Sequence, residues 1–217
     1  MCIICVMNNR PLTKAEFKKS FDSNGHGFGV AYVENGKVIY RKGYMKMKHA
    51  WRAYYDVPTP HVAHFRIASA GSVCPALTHP FIISKESAIQ LDYAGPAPVL
   101  FHNGTVSDWK SMLASAIIRT GIIPEKPMSD SRAMAIVLSL TGPALIDLLG
   151  LAGKYVILST DGIQMIGAFI EDDGNYFSNA SYKDRPYVSS YGGNLWGVDS
   201  RGFITRQIGL LQNEDND

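Results

Sequence analysis

The chain has 217 residues, with 21 lysines and arginines against 19 aspartates and glutamates, and 46% of the residues are hydrophobic. This length fits one domain with a core of its own, and the balanced charge argues against binding to nucleic acid or an anionic membrane through bulk charge. The three cysteines do not make an even disulfide framework, so we expect a reducing, cytoplasmic setting. No apolar run reaches the roughly 18–20 residues of a membrane helix.

The first half of the chain is expected to contain mainly short strands. Ile3–Met7 is apolar and β-branched, which is typical of a buried strand. Residues 28–33 and 37–41 flank Asn35-Gly36, and Asn-Gly between apolar runs predicts a hairpin. Two short helices are expected at residues 17–21 and 47–55. Two further strands are expected at residues 61–67 and 99–102.

Three helices are expected next along the chain. Ser107 is a candidate cap for a helix that runs to about Arg119. Ser129 or Asp130 would cap a second helix at residues 131–140, and Pro143 would open a third that ends near residue 150. The remaining segments have strand patterns, at residues 155–159, 164–170, 176–180, 196–198 and 203–207.

The order of strands, helices and strands favours an α+β layered fold over a doubly wound parallel sheet. We predict a single domain over residues 1–212. The polar tail at residues 213–217 is expected to be disordered.

Cys2 is the first candidate nucleophile, because removal of Met1 would leave a cysteine as the first residue. A free α-amino group titrates near pH ~7.7–8 and could itself take the thiol proton, so that no histidine partner is needed. The alternative is that a cysteine stands at position two by chance, and position alone favours that alternative.

Three other polar segments lie at predicted ends of elements, and each also has a plain structural interpretation. Arg66 could offer its planar guanidinium to a carboxylate, or form a surface ion pair. The Asn103 amide and the Gly104 N–H could both donate to one oxyanion, or form a simple turn. Asp130 could accept an ammonium group, or cap a helix.

Together and in this order, these segments resemble the glutaminase domain of class II glutamine amidotransferases, which are N-terminal-nucleophile hydrolases. The resemblance runs from Met1-Cys2 to about Ala180. Its more specific pieces are HFRIASAG at 64–71, HPF at 79–81, HNG at 102–104 and SDS at 129–131, with GFGVA at 27–31 as an early strand. The short chain and THPF at 78–81 are most similar to the small stand-alone members.

This resemblance implies a four-layer αββα sandwich with Cys2 at the end of the first strand. Cys2 would attack the side-chain amide of glutamine and form a thioester. Its freed amino group would act as the base, and then as the acid toward departing ammonia. Asn103 and Gly104 would form the oxyanion hole. No cofactor and no metal ion are expected.

The resemblance also assigns the substrate-binding residues. Arg66 would bind the α-carboxylate of glutamine and Asp130 its α-ammonium group, with Ser69 and His102 as further contacts. His102 and His79 are interpreted as hydrogen-bonding residues rather than as bases.

Two positions depart from the family pattern. Many members carry a histidine where Ala70 stands, and an acidic residue often occupies the position of Arg132. We expect Ala70 to remove a loop contact without affecting the chemistry. Arg132 could compete for the Asp130 carboxylate or bind part of a larger substrate.

Other reactive or basic residues receive structural interpretations. Cys5 and Cys74 lack metal-ligand spacing and are interpreted as core or loop thiols. The basic and aromatic residues at 42–55 are interpreted as a solvated helix face, so nucleic-acid binding is not expected.

Three functions remain open at this level. The leading one is hydrolysis of glutamine, with ammonia passed to an acceptor on a separate synthase or ligase. The second keeps the same machinery but hydrolyses a γ-glutamyl or related amide of a small metabolite. The third is an inactive copy that serves as a binding or regulatory subunit.

Overall fold

The computed structural model describes residues 2–148 and 153–183, together with the backbone of two strands at 194–198 and 204–208. This part of the chain has a mixed α+β fold with five α-helices. They are α1 (Lys14–Ser23), α2 (Met47–Tyr54), α3 (Trp109–Thr120), α4 (Asp130–Thr141) and α5 (Ala144–Leu148). The tail predicted to be disordered lies outside the described residues.

The strands in the described part form two sheets. In chain order they are β1 (Ile3–Met7), β2 (Phe28–Glu34), β3 (Lys37–Tyr44), β4 (His61–Phe65), β5 (Phe81–Ile82), β6 (Asp92–Gly95), β7 (Val99–Asn103), β8 (Lys154–Ser159), β9 (Gly162–Ile166), β10 (Ile170–Asp172), β11 (Asn175–Phe177), β12 (Asn194–Val198) and β13 (Ile204–Ile208). The first sheet has the order β10-β11-β1-β4-β2-β3-β6, and the second has the order β12-β13-β9-β8-β7-β5.

Strand β1 lies inside the first sheet, between β11 and β4, and all five of its residues are buried. It runs antiparallel to β4, with Ile3 opposite Phe65. In an antiparallel pair the start of one strand lies beside the end of the other. Cys2, just before β1, is therefore placed next to Arg66 and Ile67, just after β4.

Helices α1 and α2 cover the first sheet through aromatic side chains. Phe17 of α1 lies 4.9 Å from Phe65 and 5.0 Å from both Phe28 and Tyr54, measured between ring centres. Contacts of this kind add about 0.5–1.5 kcal/mol each beyond the buried area. The cluster fixes the outer face of the strands that lead to Cys2 and Arg66.

A second apolar cluster joins the two sheets. It includes Ile4 and Val6 of β1, with Phe101 of β7 and Val156 of β8. Helix α4 packs on the second sheet, where Met134 belongs to the same cluster as Leu100 and Tyr155. The ends of β1, β4, β7 and α4 are thereby held within one rigid core.

The predicted hairpin is confirmed, because β2 and β3 pair around Asn35 (φ 50°) and Gly36 (φ 69°). Positive φ at both central residues is the backbone of a type I′ turn. The strand predicted at Ile3–Met7 is confirmed, and Ser129 does cap α4, since its side chain accepts from the Arg132 N–H.

Several predicted boundaries are wrong. Helix α3 does not begin after Ser107 but after Asp108, whose side chain makes no capping bond. The strand predicted at 164–170 ends at Ile166, because Gly167 adopts φ 99°. The strand predicted at 176–180 ends at Phe177, because the next two side chains bond to other segments.

The interpretation of residues 42–55 as one solvated helix face is wrong for Lys42. It lies in β3, is 3% exposed, and donates from Nζ to the carbonyls of Ala76 (3.2 Å) and Pro80 (2.9 Å). Its ammonium group also faces the Phe81 ring. As for membranes, α1–α5 include no helix with the length and apolar character needed to cross a bilayer.

Candidate active site

A small cleft lies where β1 begins and β4, β7 and α4 meet it. Six of the seven residues predicted to form the site line this cleft: Cys2, Arg66, Ser69, His102, Gly104 and Asp130. The seventh, Asn103, lies at the end of β7 and is buried behind the lining. The fold thus brings together residues that are up to 128 positions apart in the sequence.

The Cys2 thiol is held by the backbone of Ile67. Its Sγ–H donates to the Ile67 carbonyl at 3.1 Å, and Sγ accepts from the Ile67 N–H at 3.2 Å. Burial raises the pKa of the Cys2 thiol, although the Ile67 N–H and the Arg66 charge oppose this shift. The resting thiol is therefore protonated at neutral pH, and it needs a nearby base to become a nucleophile.

Arg66 is almost fully buried at the side of the cleft. Its Nη1 donates to the Ser72 carbonyl at 2.9 Å and its Nη2 to the Ala70 carbonyl at 3.1 Å. A guanidinium has five N–H donors, so these two contacts leave others for a ligand. The surface ion pair considered as the alternative does not occur, because no acidic side chain in the described part bonds to Arg66 and its side chain is buried.

Asp130 opens α4 and supplies negative charge to the same cleft. Its Oδ2 accepts from the Val106 N–H at 3.1 Å, and its Oδ1 accepts from the Ser131 N–H at 2.8 Å. It is 3% exposed. The helix cap is Ser129 and not Asp130, so the carboxylate instead holds the loop that follows Gly104.

Asn103 and Gly104 meet the cleft in different ways. Gly104 lines it, whereas the Asn103 side chain donates from Nδ2 to Ser178 Oγ at 2.8 Å. A primary amide carries two N–H donors, and this bond uses one of them. Gly104 therefore borders the cleft directly, while the Asn103 side chain is fixed from behind it by Ser178.

Three histidines are buried around the cleft. The Nε2–H of His64 donates to the His102 carbonyl at 3.2 Å, and the His64 and His79 rings lie 3.9 Å apart. His102 Nδ1 lies 3.0 Å from Ser131 Oγ. Burial lowers the pKa of His64 to about 3 and that of His102 to about 4, so both rings are neutral at pH 7. His64 and His102 thus act as hydrogen-bonding residues, but neither ring nitrogen of His79 has a hydrogen-bond partner among the described residues, so the hydrogen-bonding role predicted for His79 is wrong.

Arg132 does not reach Asp130, so the expectation that it could compete for that carboxylate is wrong. It is fully buried and donates to backbone carbonyls, those of Ser87 (2.7 Å) and Pro127 (2.7 Å) among them. Residues two apart on a helix do not face each other, which explains why α4 separates the two side chains. Arg132 is a structural residue.

Ser178 and Asn179 were missed from the sequence, although both contact the site. Asn179 donates from Nδ2 to the Cys2 carbonyl at 2.6 Å, and Ser178 holds Asn103. The only signal in the sequence is a polar pair that directly follows the aromatic residues Tyr176 and Phe177. Their partners lie more than 70 positions away, and no local pattern encodes such a contact.

The remaining lining residues define the rim. Ser69 is exposed, and its Oγ accepts from Thr105 Oγ1 at 3.3 Å. Ala70 adds only a methyl group to the lining. In the described part of the chain, no group of three or more His, Cys, Asp or Glu side chains has the arrangement of a metal site.

Comparison of the chain with models of known protein families, and with curated proteins, finds no match.

Proposed function

We propose that this protein is an N-terminal cysteine amidohydrolase of the class II glutamine amidotransferase type, which hydrolyses the side-chain amide of glutamine. One observation carries the proposal: Cys2, Arg66 and Asp130 line the same small cleft. The guanidinium and the carboxylate supply opposite charges, as the α-carboxylate and α-ammonium of an amino acid require. The thiol lies beside them, at the start of a buried strand.

The first half of the reaction forms a thioester. Removal of Met1 frees the α-amino group of Cys2, which takes the Sγ proton as the sulfur attacks the amide carbon. Gly104 N–H and Asn103 Nδ2 stabilise the oxyanion. One such donor contributes roughly 2.7–4 kcal/mol to the transition state. The carbon–nitrogen bond then breaks, and the α-ammonium returns the proton to the departing ammonia.

The second half regenerates the enzyme. The α-amino group removes a proton from water, the hydroxide adds to the thioester carbon, and the carbon–sulfur bond breaks to give glutamate. The sulfur recovers the proton. The raised pKa of the Cys2 thiol supports this scheme, because a protonated thiol requires the base that the free terminus would provide.

We further propose a fold type and a cellular compartment for this protein. Apolar clusters between the two sheets, between the first sheet and α1–α2, and between the second sheet and α4 support a four-layer αββα sandwich. The free Cys2 thiol supports a reducing, cytoplasmic compartment. We propose that the ammonia serves a separate synthase or ligase.

The test compares wild type with Cys2→Ala after intact-mass measurement has shown that Met1 is absent. Both proteins are incubated with glutamine and with γ-glutamyl amides, and released ammonia or amine is measured. Wild type is expected to release ammonia from glutamine, and Cys2→Ala to lose at least about 10⁴-fold in rate, as for removal of a nucleophile.

Cys74→Ala is the matched control, because Cys74 is also a free, half-buried thiol but does not line the cleft. It should keep wild-type activity. If wild type releases amine from γ-glutamyl amides but no ammonia from glutamine, and this release depends on Cys2, the substrate is a γ-glutamyl amide and not glutamine. Equal release by wild type and Cys2→Ala would overturn the enzymatic proposal and favour a binding subunit.

A further inference from the structure

Ser178 ties the two sides of the cleft together. It lies directly after β11 and is fully buried. Its Oγ accepts from the Ile4 N–H at 2.8 Å and from Asn103 Nδ2 at 2.8 Å, while its own N–H donates to the Ile4 carbonyl at 2.9 Å. One serine therefore connects the strand that follows Cys2 with the end of β7.

We infer that Ser178 is a positioning residue, which orients the Asn103 carboxamide as an oxyanion donor. This inference rests on the proposed function. The terminal torsion of an asparagine side chain has a broad, shallow preference, so the amide plane needs an external anchor. Ser178 Oγ binds one amide proton, and this fixes the direction of the other.

The energetic reason lies in preorganisation. A donor that already points to the future oxyanion loses no free energy in reorienting during the reaction. A displacement of about 1 Å in such a site can reduce the rate roughly 100-fold. Ser178 is suited to prevent that displacement because two hydrogen bonds, one through its side chain and one through its backbone, join it to Ile4 of β1.

The neighbouring residue reinforces this arrangement on the nucleophile side. Asn179 donates to the Cys2 carbonyl at 2.6 Å, and its Oδ1 accepts from the Ser181 N–H at 3.0 Å. The turn after β11 thus holds the backbone of Cys2 and the side chain of Asn103 at the same time.

Asn175 provides a matched control at the other end of the same strand pair. It is also fully buried, and its Oδ1 also accepts from two donors, the Asn8 N–H at 2.9 Å and the Asn9 N–H at 3.0 Å. Ser178→Ala and Asn175→Ala therefore each leave two donors without an acceptor. Only Ser178→Ala does so beside the cleft.

The kinetic test uses the Met1-free protein with glutamine. Ser178→Ala is expected to lower kcat roughly 10- to 100-fold with KM within about threefold of wild type. Asn175→Ala is expected to keep kcat within about twofold. Alkylation of Cys2 by iodoacetamide, which creates no oxyanion, should proceed at the same rate in both variants.

A double variant shows whether Ser178 acts through Asn103. Asn103→Ala/Ser178→Ala should have the same kcat as Asn103→Ala alone, since the serine has nothing left to orient. Additive losses, an equal loss in Asn175→Ala, or an unchanged or higher kcat in Ser178→Ala would each overturn the inference. If Ser178→Ala does not fold, the same measurements are made on Ser178→Cys. Its thiol has a similar shape to the hydroxyl but is a weaker hydrogen-bond acceptor.

A readout without substrate separates this inference from the proposed function. In ¹⁵N-labelled wild type, one Asn103 side-chain amide proton should exchange slowly with solvent. Ser178→Ala should remove that protection, and Asn175→Ala should keep it. If wild type releases no ammonia, the proposed function fails, while the exchange result still decides whether Ser178 holds Asn103. Fast exchange in wild type overturns the inference.

Discussion

The charged side chains of the cleft are held by backbone groups and not by each other. Arg66 donates to two carbonyls of residues 70–72, and Asp130 accepts from two backbone N–H groups. Both side chains keep unused hydrogen-bonding capacity. Because their positions are fixed before a ligand arrives, binding of the proposed amino-acid substrate would require less ordering of side chains.

Arg66→Lys is predicted to weaken substrate binding more than turnover. Lysine keeps the positive charge but lacks the planar fork, so it cannot hold the loop at 70–72 and a carboxylate at the same time. Loss of a hydrogen bond to a charged group costs about 1.5–3 kcal/mol. We therefore expect KM for glutamine to rise roughly 10- to 100-fold in steady-state kinetics, with a smaller change in kcat.

The control for this prediction is 4-aminobutanamide, which is glutamine without the α-carboxylate. Its KM should be the same in wild type and Arg66→Lys, because the variant removes a contact that this amide never makes. An equal rise for both substrates would show that Arg66 supports the loop and does not bind the carboxylate.

At the level of elements, two glycines of the β2–β3 hairpin are required for different reasons. A Cβ added to Gly29 in β2 would lie 1.9 Å from the His79 carbonyl oxygen and 2.7 Å from Lys42 Cβ. A Cβ added to Gly36 in the turn would meet open space, and only its φ of +69° is unfavourable for other residues. Gly29 allows the His79 backbone to approach the strand closely, while Gly36 allows the positive φ of the turn.

These differences predict different losses of stability on substitution by alanine. Gly36→Ala should cost about 1 kcal/mol, the typical strain of a left-handed alanine. Gly29→Ala should cost at least about 3 kcal/mol, since overpacking against backbone cannot be relieved by a side-chain rotation. Urea denaturation of both variants measures the free energies of unfolding. Equal losses would contradict the close approach at Gly29.

Elements with a local signal could be predicted from the sequence, and elements without one could not. The buried run of β1 and the Asn35-Gly36 turn are encoded by neighbouring residues, and both are confirmed. Strand β6 (Asp92–Gly95) was missed, because Asp and Gly have low β propensity and the strand exists only by pairing with β3.

In the candidate site too, residues could be predicted only where a local sequence pattern marks them. The cleft residues lie within short strings that could be compared with a known family, so their grouping was predictable. Ser178 was not, because it gains its role only when β11 pairs with β1 and brings it to Asn103. The spacing of Arg132 and Asp130 was misleading, since proximity in sequence on a helix does not mean that two side chains meet.

At the scale of the whole molecule, four neutral histidines are buried in the core around the two sheets. Burial lowers the pKa of His61 and His102 to about 4, that of His64 to about 3, and that of His79 well below 6.5. His61 illustrates the cause: its Nδ1–H donates to the Pro58 carbonyl, and its Nε2 accepts from the Tyr54 hydroxyl. A proton on Nε2 would break the second bond.

This arrangement predicts that the protein loses stability as the pH falls below about 6.5. In the unfolded chain His61, His64 and His102 bind a proton near pH ~6.5, while in the folded chain they bind one only at pH about 3–4, so protonation stabilises the unfolded state relative to the folded state. At pH 5 each histidine lowers the free energy of unfolding by about 2 kcal/mol. His61, His64 and His102 together remove about 6 kcal/mol, which is comparable to the total stability of a domain.

Denaturant unfolding between pH 7.5 and pH 5, combined with measurement of the protons taken up, tests this prediction. Unfolding at pH 5 should take up about three protons through His61, His64 and His102, because the unfolded side chains are almost fully charged there. His61→Gln, which lies away from the cleft, should reduce the uptake by about one proton and flatten the decline in stability. An uptake unchanged by His61→Gln would mean that this imidazole is already charged in the folded protein, and that its contacts with Pro58 and Tyr54 do not keep it neutral.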